Sequence, residues 1–370
     1  MKKILFFYQA GRIEKINNNT PYAKEMFYGY HYFESKGYDT EIIEFDKSKK
    51  FLNKYYFLIF EKRLRNILKL PIYWSFLTNK KNIKKIFDSD YAIFSNNRVG
   101  FASLINITIS KIIRKKPSTL CFVMGLFSRT PKFKILQPVQ KFLLNYFLKN
   151  MDNLIFLSES EQKHAANLFK KHSKKMHVLP FAVDLQIWKV SKSIEKKKKI
   201  LFVGNDGFRD FEFAKNLANS MYDKEFVFVT NQLNQLDLKD NSVLHKGSWS
   251  KNSLTDLELA NLYNEAFLTI VPLVNSLQPS GQSVSLQSIA CGTPVIITDT
   301  DGFWDKKNFE NENNIILANQ NSIGLWSDLI KKLENDHVLY NNIRGEGLDL
   351  IKNKYNLDNF SKSIENIIIK

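Results

Sequence analysis

The chain has only two cysteines in 370 residues, Cys121 and Cys291, far apart and each inside an apolar run. That excludes a disulfide scaffold and a cysteine-based metal site, and it reads as two reduced core residues of a cytosolic protein. A cleavable leader is not indicated either. The N-terminus, MKKILFFYQAGR, has a basic start but a short apolar run and no small-residue cleavage site, so it reads as a first strand. No short internal repeat is visible. Acidic residues are scarce in one part of the chain: residues 47–150 carry 22 Lys and Arg against 3 Asp and Glu. Charge is scarcer still in one stretch, Ala266 to Thr298, whose 33 residues hold none although a quarter of the chain is charged. Pro, Gly, Ser and Gln interrupt that stretch too often for it to cross a bilayer as one helix.

The uncharged stretch is better read as strand, turn, helix, strand. Phe267 to Leu273 is a near-continuous apolar run, as in a parallel sheet covered on both faces. Gln278-Pro279-Ser280-Gly281 breaks the chain, and a helix is expected from about Ser283 to Cys291, with Ser280 or Gln282 near its cap. Gly292 suits a C-terminal residue of positive φ, Pro294 follows, and Val295-Ile296-Ile297 is the next strand. The amides of Ser283, Val284 and Ser285 would be free at the helix start, where the summed peptide dipoles favour an anion. The same small residues are also what any strand–turn–helix unit needs.

At 370 residues and 44% hydrophobic content, two globular domains fit. Strand candidates are residues 3–8, 40–45, 91–95, 119–124 and 153–157, with helices over 21–36 and 100–116 and a capped helix start at Ser158. After the Lys-rich residues 170–199 a new strand opens at Ile200, and strands over 226–230, 243–245, 267–273, 294–298 and 314–317 follow. The alternation predicts an α/β protein of two doubly wound parallel sheets, with domains 1–190 and 191–370 and the last helix a candidate to return to the first.

Charge divides along the same line. Residues 1–200 hold 39 basic and 15 acidic residues, and residues 201–370 hold 15 and 22. A basic half suits anionic lipid headgroups or nucleic acid, but no base-reading motif accompanies it, so nucleic acid is not expected. Residues 51–87 and 133–149 mix aromatics with Lys and Arg; Leu58, Leu64, Ile67 and Leu68 can share one helical face with most of the basic residues off it. Such a helix lies in a membrane interface or packs on its own domain.

The second half resembles the retaining GT-B glycosyltransferases of family four, also called group 1. The resemblance rests on Leu201-Phe202-Val203-Gly204 with Arg209, Leu257 to Tyr263, Gln278-Pro279-Ser280-Gly281, Leu286 to Val295, Asp299-Thr300-Asp301-Gly302, and the tail from Glu312 to Phe360. It covers about 170 residues, most specifically Gln287 to Val295; the first half matches in layout only. It implies two Rossmann-like domains facing a central cleft, the second holding a nucleotide diphosphate-sugar and the first an acceptor, with no metal and no cofactor. The donor-site candidates are Gly204, Arg209, Lys246, Gln278, Ser280, Gly281, Gln282, Ser283, Val284, Ser285 and Gln287, with Arg209 and Gln287 in catalytic roles and Asp206 or Asp210 as partners of Arg209. Gly11 and Arg12 are the acceptor-side candidates.

Two departures accompany the resemblance. The family places two glutamates eight positions apart around this helix start; here the second aligns with Gln287 and the first with Pro279 or Gln278. The histidine that many relatives carry after a mid-domain strand is absent from Phe122 to Phe127. The expected function is a retaining hexosyltransferase-type glycosyltransferase acting on a lipid-linked or cell-surface glycan acceptor, in the cytoplasm, peripheral on the inner face of an anionic membrane. The alternative is a non-catalytic GT-B module binding a glycan or a partner enzyme; a sugar-nucleotide epimerase is a weaker rival, for want of an acid–base set.

Overall fold

A computed structural model of the chain describes residues 1–18, 20–45, 55–114, 116–248, 251–252 and 254–369. The chain divides into two compact units. Met1–Asn19, Phe27–Leu179 and Ser361–Lys370 form the first, and Thr20–Met26 with Pro180–Phe360 form the second. The expected division near residue 190 and these bounds differ in two places: residues 180–190 count with the second unit, and a short segment near the N-terminus joins it too; the last ten residues, part of the helix named as a candidate to return, count with the first.

The first unit is built on β1 (Lys3–Gln9), β2 (Asp39–Phe45), β3 (Tyr91–Phe94), β4 (Ser118–Val123), β5 (Asn153–Phe156) and β6 (Met176–Val178), a parallel sheet in the order β2-β1-β3-β4-β5-β6. Its inner strands β1, β3, β4 and β5 are largely buried and apolar, as in a parallel sheet covered on both faces, while the edge strand β2 carries Asp39, Glu41 and Glu44. The helices of this unit are α1 (Arg12–Asn17), α2 (Tyr30–Ser35), α3 (Tyr55–Leu68), α4 (Trp74–Leu77), α5 (Lys80–Phe87), α6 (Asn97–Ala102), α7 (Leu104–Arg114), α8 (Gln137–Asn150) and α9 (Glu159–Leu168). Ser158 caps α9 through the Glu161 amide, as its sequence predicts.

The second unit repeats the plan. β7 (Lys199–Val203), β8 (Glu225–Val229), β9 (Ser242–His245), a short hairpin of β10 (Gly247–Ser248) and β11 (Lys251–Asn252), β12 (Leu268–Val271), β13 (Val295–Thr298) and β14 (Ile316–Ala318) follow in turn. Apart from the hairpin they form a parallel sheet in the order β14-β13-β12-β7-β8-β9. Its helices are α10 (Phe211–Ser220), α11 (Asp256–Glu265), α12 (Gln282–Ala290), α13 (Ile323–Asn335) and α14 (His337–Lys354); α15 (Leu357–Ile368) begins in this unit and ends in the first.

Two expected helices differ. The segment 21–36 is not one helix: a single 3-10 turn at Glu25–Phe27 precedes Tyr28 and Gly29, both with positive φ (48° and 91°), and only then does α2 begin. The amides of Ala23 and Lys24 donate to side chains, Asp256 Oδ2 at 2.9 Å and Asp184 Oδ2 at 3.1 Å, and the positive φ at Tyr28 and Gly29 is what breaks the helix. The segment 100–116 is two helices, α6 and α7, meeting at Ser103. The basic–aromatic helix predicted after residue 51 is α3; residues 51–54 lie outside the described residues. Among the described residues no helix is long and apolar enough to cross a membrane.

The strand–helix–strand unit at 268–298 has the predicted ending. Gly292 has φ of 72°, its amide donates to Ile289 O (2.8 Å), and the Thr293 amide reaches back to Ser288 O (3.0 Å). This pair of bonds satisfies the last carbonyls of α12 and requires a left-handed residue. A Cβ at Gly292 would also stand 2.9 Å from Val190 Cγ2 and 3.3 Å from Arg344 Nε. Gly292→Ala is therefore expected to destabilise the protein by about 1–2 kcal/mol, read as a lower urea midpoint at unchanged m.

Candidate functional site

The site is built around the start of α12. Gly281 is its N-cap, with φ of 80°, so the helix starts at Gln282 and Ser285 N already donates to Gly281 O at 3.0 Å. The three amides without an intrahelical acceptor are thus those of Gln282, Ser283 and Val284. Ser285, expected to offer a free amide, does not; the helix begins one residue early because glycine takes the left-handed cap that neither Ser280 nor Gln282 could adopt as easily.

Arg209 reaches the same place from the loop after β7. That loop is strapped to the exit of β12 by Asp210 N to Pro272 O (3.0 Å), Val274 N to Phe208 O (2.8 Å) and a bridge between Arg209 and Leu273. The guanidinium passes between two glycines. A Cβ on Gly281 would sit 2.8 Å from Arg209 Nη1 and 2.7 Å from Val271 Cγ1, and one on Gly204 would collide with Arg209 Nε. Arg209 is 5% exposed, and burial lowers its pKa, with Asp206 and then Tyr263 partly offsetting this. Asp206 Oδ2 lies 3.3 Å from Nε as an ion pair, off the hydrogen-bond direction. Asp210, the other expected partner, caps α10 at the Phe213 amide and accepts from Asn321.

Buried polar atoms at this end of α12 lack protein partners. Arg209 Nε and Nη1, Ser280 Oγ, both amide atoms of Gln282 and Ser285 Oγ are all buried without a hydrogen bond. Native proteins leave few such atoms, because each costs about 1–3 kcal/mol. Four side chains around one helix start are a set of groups shaped for a ligand with many acceptors.

Alongside runs a cavity of about 160 Å³. Val203, Gly204 and Asn205 line it at the exit of β7, Val229 at the exit of β8, and Lys246 and Gly247 beyond β9; Ser283, Val284 and Gln287 line it from α12. Lys246, a donor-site candidate, contributes its stem, since its ammonium is held by Leu233 O and by Asn234 Oδ1. Gln278 is half-buried beside Gly302 and is not among the cavity-lining residues.

One lining residue comes from 262 positions away. Glu25 is buried, its Oε1 accepting from Trp188 Nε1 (2.6 Å) and Gln287 Nε2 (3.0 Å) and its Oε2 from the Asp184 amide (3.3 Å). Tyr263 OH stands 3.4 Å from Gln287 Oε1, so the Gln287 amide is oriented from both sides. The helix start whose own sequence lacks a carboxylate therefore has one against it. Burial pushes the Glu25 carboxyl up to about 7; Gln287 and Trp188 pull it partly back, and Asp184 adds to the rise. Sequence reasoning missed Glu25, Trp188 and Asp184, and no spacing rule would have joined them. Tyr263 lay in a quoted motif without a role.

The acceptor-side candidates are in the first unit. Gly11 has φ of 109° and is the N-cap of α1. Arg12 is 9% exposed and turned inward, its guanidinium 5.5 Å from the Tyr8 ring centroid and Nη1 donating to Gln9 O at 3.2 Å.

The fold is that of the GT-B class, two α/β units each with a six-stranded parallel sheet. HepE from Anabaena, solved in complex with UDP and glucose, matches with a TM-score of 0.69 over 100% of both chains at 11% identity. A glycosyltransferase from Rickettsia africae matches at 0.66 and 13% identity over 100% of this chain and 99% of that one. Sucrose-phosphate synthase from Thermosynechococcus elongatus matches at 0.64 and 13% identity over 99% and 98%. No protein-family model matches the chain, and no curated protein matches it in sequence. At such identities the likeness is one of fold.

Glu25 makes a testable contribution to stability. Its folded pKa, about 7, lies above the ordinary 4.5, so between these values the folded state holds a proton that the unfolded chain has lost. Stability from this group is present below pH 4.5 and falls as pH rises to 7. Glu25→Gln should remove the dependence. From urea unfolding at pH 4.5 and pH 7, the stability of wild type relative to the variant should fall by as much as about 3 kcal/mol.

Proposed function

We propose that the second unit binds a nucleotide diphosphate-sugar and that the protein transfers the sugar, with retention and without a required metal, to a lipid-linked or cell-surface glycan acceptor. The observation that carries this is the group of buried, unpartnered polar atoms on Arg209, Ser280, Gln282 and Ser285 around the open amides of α12. A diphosphate offers acceptors to all the donors at once, and a guanidinium with helix-start amides supplies the positive potential a cation would otherwise provide. The solved relatives HepE and the Thermosynechococcus and Rickettsia enzymes lend the reading support through shared fold.

In the proposed reaction the bond from the sugar anomeric carbon to the diphosphate oxygen breaks. The acceptor oxygen bonds to the same face of the sugar, and its proton passes to the departing phosphate. Negative charge grows on the leaving oxygen, where Arg209 and the amides of Gln282, Ser283 and Val284 stabilise it. Glu25 and Gln287 line the adjoining cavity and are assigned to hydroxyl groups of the donor, so the carboxylate missing from the α12 motif is supplied from another part of the chain. The rival reading, a non-catalytic module, draws on that missing motif carboxylate and on the Gln287 amide being engaged by Glu25 and Tyr263.

Calorimetric titration with UDP, GDP, ADP and CMP in EDTA, and then with magnesium, tests the donor site. One diphosphate is expected to bind equally well in both buffers, and Arg209→Ala to weaken it about tenfold to a hundredfold. No binding of any of the four would shift the weight to the non-catalytic module.

The cytoplasmic, membrane-peripheral placement is proposed from the surface of α8 and the turn before it. Phe133, Ile135 (85% exposed), Val139 and Phe142 (67% exposed) stand in solvent among the exposed Lys132, Lys134, Lys141 and Lys149, while Leu144, Phe147 and Leu148 face the core. Exposed apolar groups ringed by lysine suit an anionic bilayer surface. Flotation with phosphatidylcholine vesicles containing phosphatidylserine should carry the protein up, Ile135→Ser/Phe142→Ser should reduce this severalfold, and pure phosphatidylcholine should bind less.

A further inference from the structure

The first unit gathers positive charge at the carboxyl ends of its strands, where ligands of parallel α/β sheets sit. Arg98, on α6, donates from Nη1 to Gln9 Oε1 (3.2 Å) at the end of β1. Arg129 donates from Nε to Gly125 O (2.9 Å), just past the end of β4. Arg65, near the end of α3, lies 4.0 Å from the centroid of the Tyr73 ring, and Arg98 lies 5.8 Å from the same centroid. Arg129 feels both Tyr73 and Arg98 electrostatically; its pKa is lowered first by burial of the guanidinium and next by the charge of Arg98. Among the described residues none of these three arginines forms an ion pair.

Glu161 offsets the repulsion at Arg129 only in part. Glu161 is buried under the β4 exit, accepting from the Gly125 amide at 2.6 Å, and burial raises its pKa to about 8, so it is mainly uncharged at neutral pH. The charges of Arg98 and Arg129 oppose one another, and the oxygens that the three arginines bond, on Ile72, Gln9 and Gly125, carry no charge to offset this. The planar forks and fixed positions of the arginines match the oxygens of a phosphate group far better than flexible lysines would.

We propose that Arg65 and Arg98, beside the Tyr73 ring, and Arg129, just past the end of β4, bind a phosphate or diphosphate group carried by the acceptor. The inference rests on the glycosyltransferase reading only in calling the bound molecule an acceptor. The bound chemistry is an anionic phosphate ester, whether on a lipid carrier or on a soluble glycan.

The test uses inorganic pyrophosphate, titrated calorimetrically into the full chain with saturating UDP and, separately, into Arg209→Ala, so that the donor site does not contribute. Wild-type arginines should bind one equivalent with an affinity that falls as salt rises. Arg98→Gln/Arg129→Gln should lose tenfold or more, and Arg98→Lys/Arg129→Lys should recover part of it. Arg129→Gln alone keeps the test readable if the double variant does not fold. A second arm floats the same proteins on phosphatidylcholine vesicles with and without phosphatidic acid. Loss in both arms supports a lipid phosphate, and loss with pyrophosphate alone supports a soluble phosphate ester. Pyrophosphate affinity unchanged by the arginine replacements, or no wild-type binding to either probe, overturns the proposal. Absent UDP binding beside intact, arginine-dependent pyrophosphate binding strikes the donor reading and leaves this one standing.

Discussion

Removing a guanidinium from water costs several kcal/mol unless charge and hydrogen bonds are returned to it inside the protein. Arg209 receives only part of that return. Asp206 is close to Nε without aligning, Nη1 has no partner, and the walls on either side are the glycines at 204 and 281. Much of the second unit is arranged to keep the group there. The loop that carries it is tied to the exit of β12, Gly281 opens α12 in a left-handed cap, and the uncharged helix behind it offers amides rather than competing carboxylates. An anion at this point would complete the electrostatics that the protein leaves open.

Glu25 shows the opposite economy. It is an acid held in a buried network, and its three neighbours Trp188, Gln287 and the Asp184 amide all donate to it. The segment carrying it is fastened by two further aspartates, Asp256 on one side and Asp184 on the other, through main-chain amides. The helix that the local sequence favours is interrupted after it, at Tyr28 and Gly29, by two residues of positive φ. The outcome is a carboxyl group placed against a helix whose own start contains no acid.

Much of the architecture was legible because it depends on periodicity and punctuation. Apolar runs at 3–9, 199–203, 268–271 and 295–298 can only be buried strands in a chain this charged, and Ser158 and Gly292 mark helix ends by chemistry that acts within one turn. The place of Arg209 was also within reach, because it follows a strand end by a few residues and strand ends are where such sheets bind. The free amides were misplaced by one residue, since which of Ser280, Gly281 and Gln282 would cap α12 depends on a backbone conformation and not on side-chain type alone. Lys246 carried the right charge in the right loop, but the carbonyl of Leu233 and the amide of Asn234 claim its ammonium, and these contacts are non-local.

The sequence by itself determined the strands of the two sheets, the helix ends at Ser158 and Gly292 and the uncharged turn before α12, because each arises from interactions between residues a few positions apart. Only the tertiary structure decided that Glu25 meets Gln287, that Gly204 and Gly281 flank Arg209, and that Arg65 and Arg98 share one tyrosine ring. Most of those pairings join residues tens to hundreds of positions apart. Whether they form depends on loop closure, burial and the competition of each backbone amide for an acceptor, and none of these is written in any local pattern.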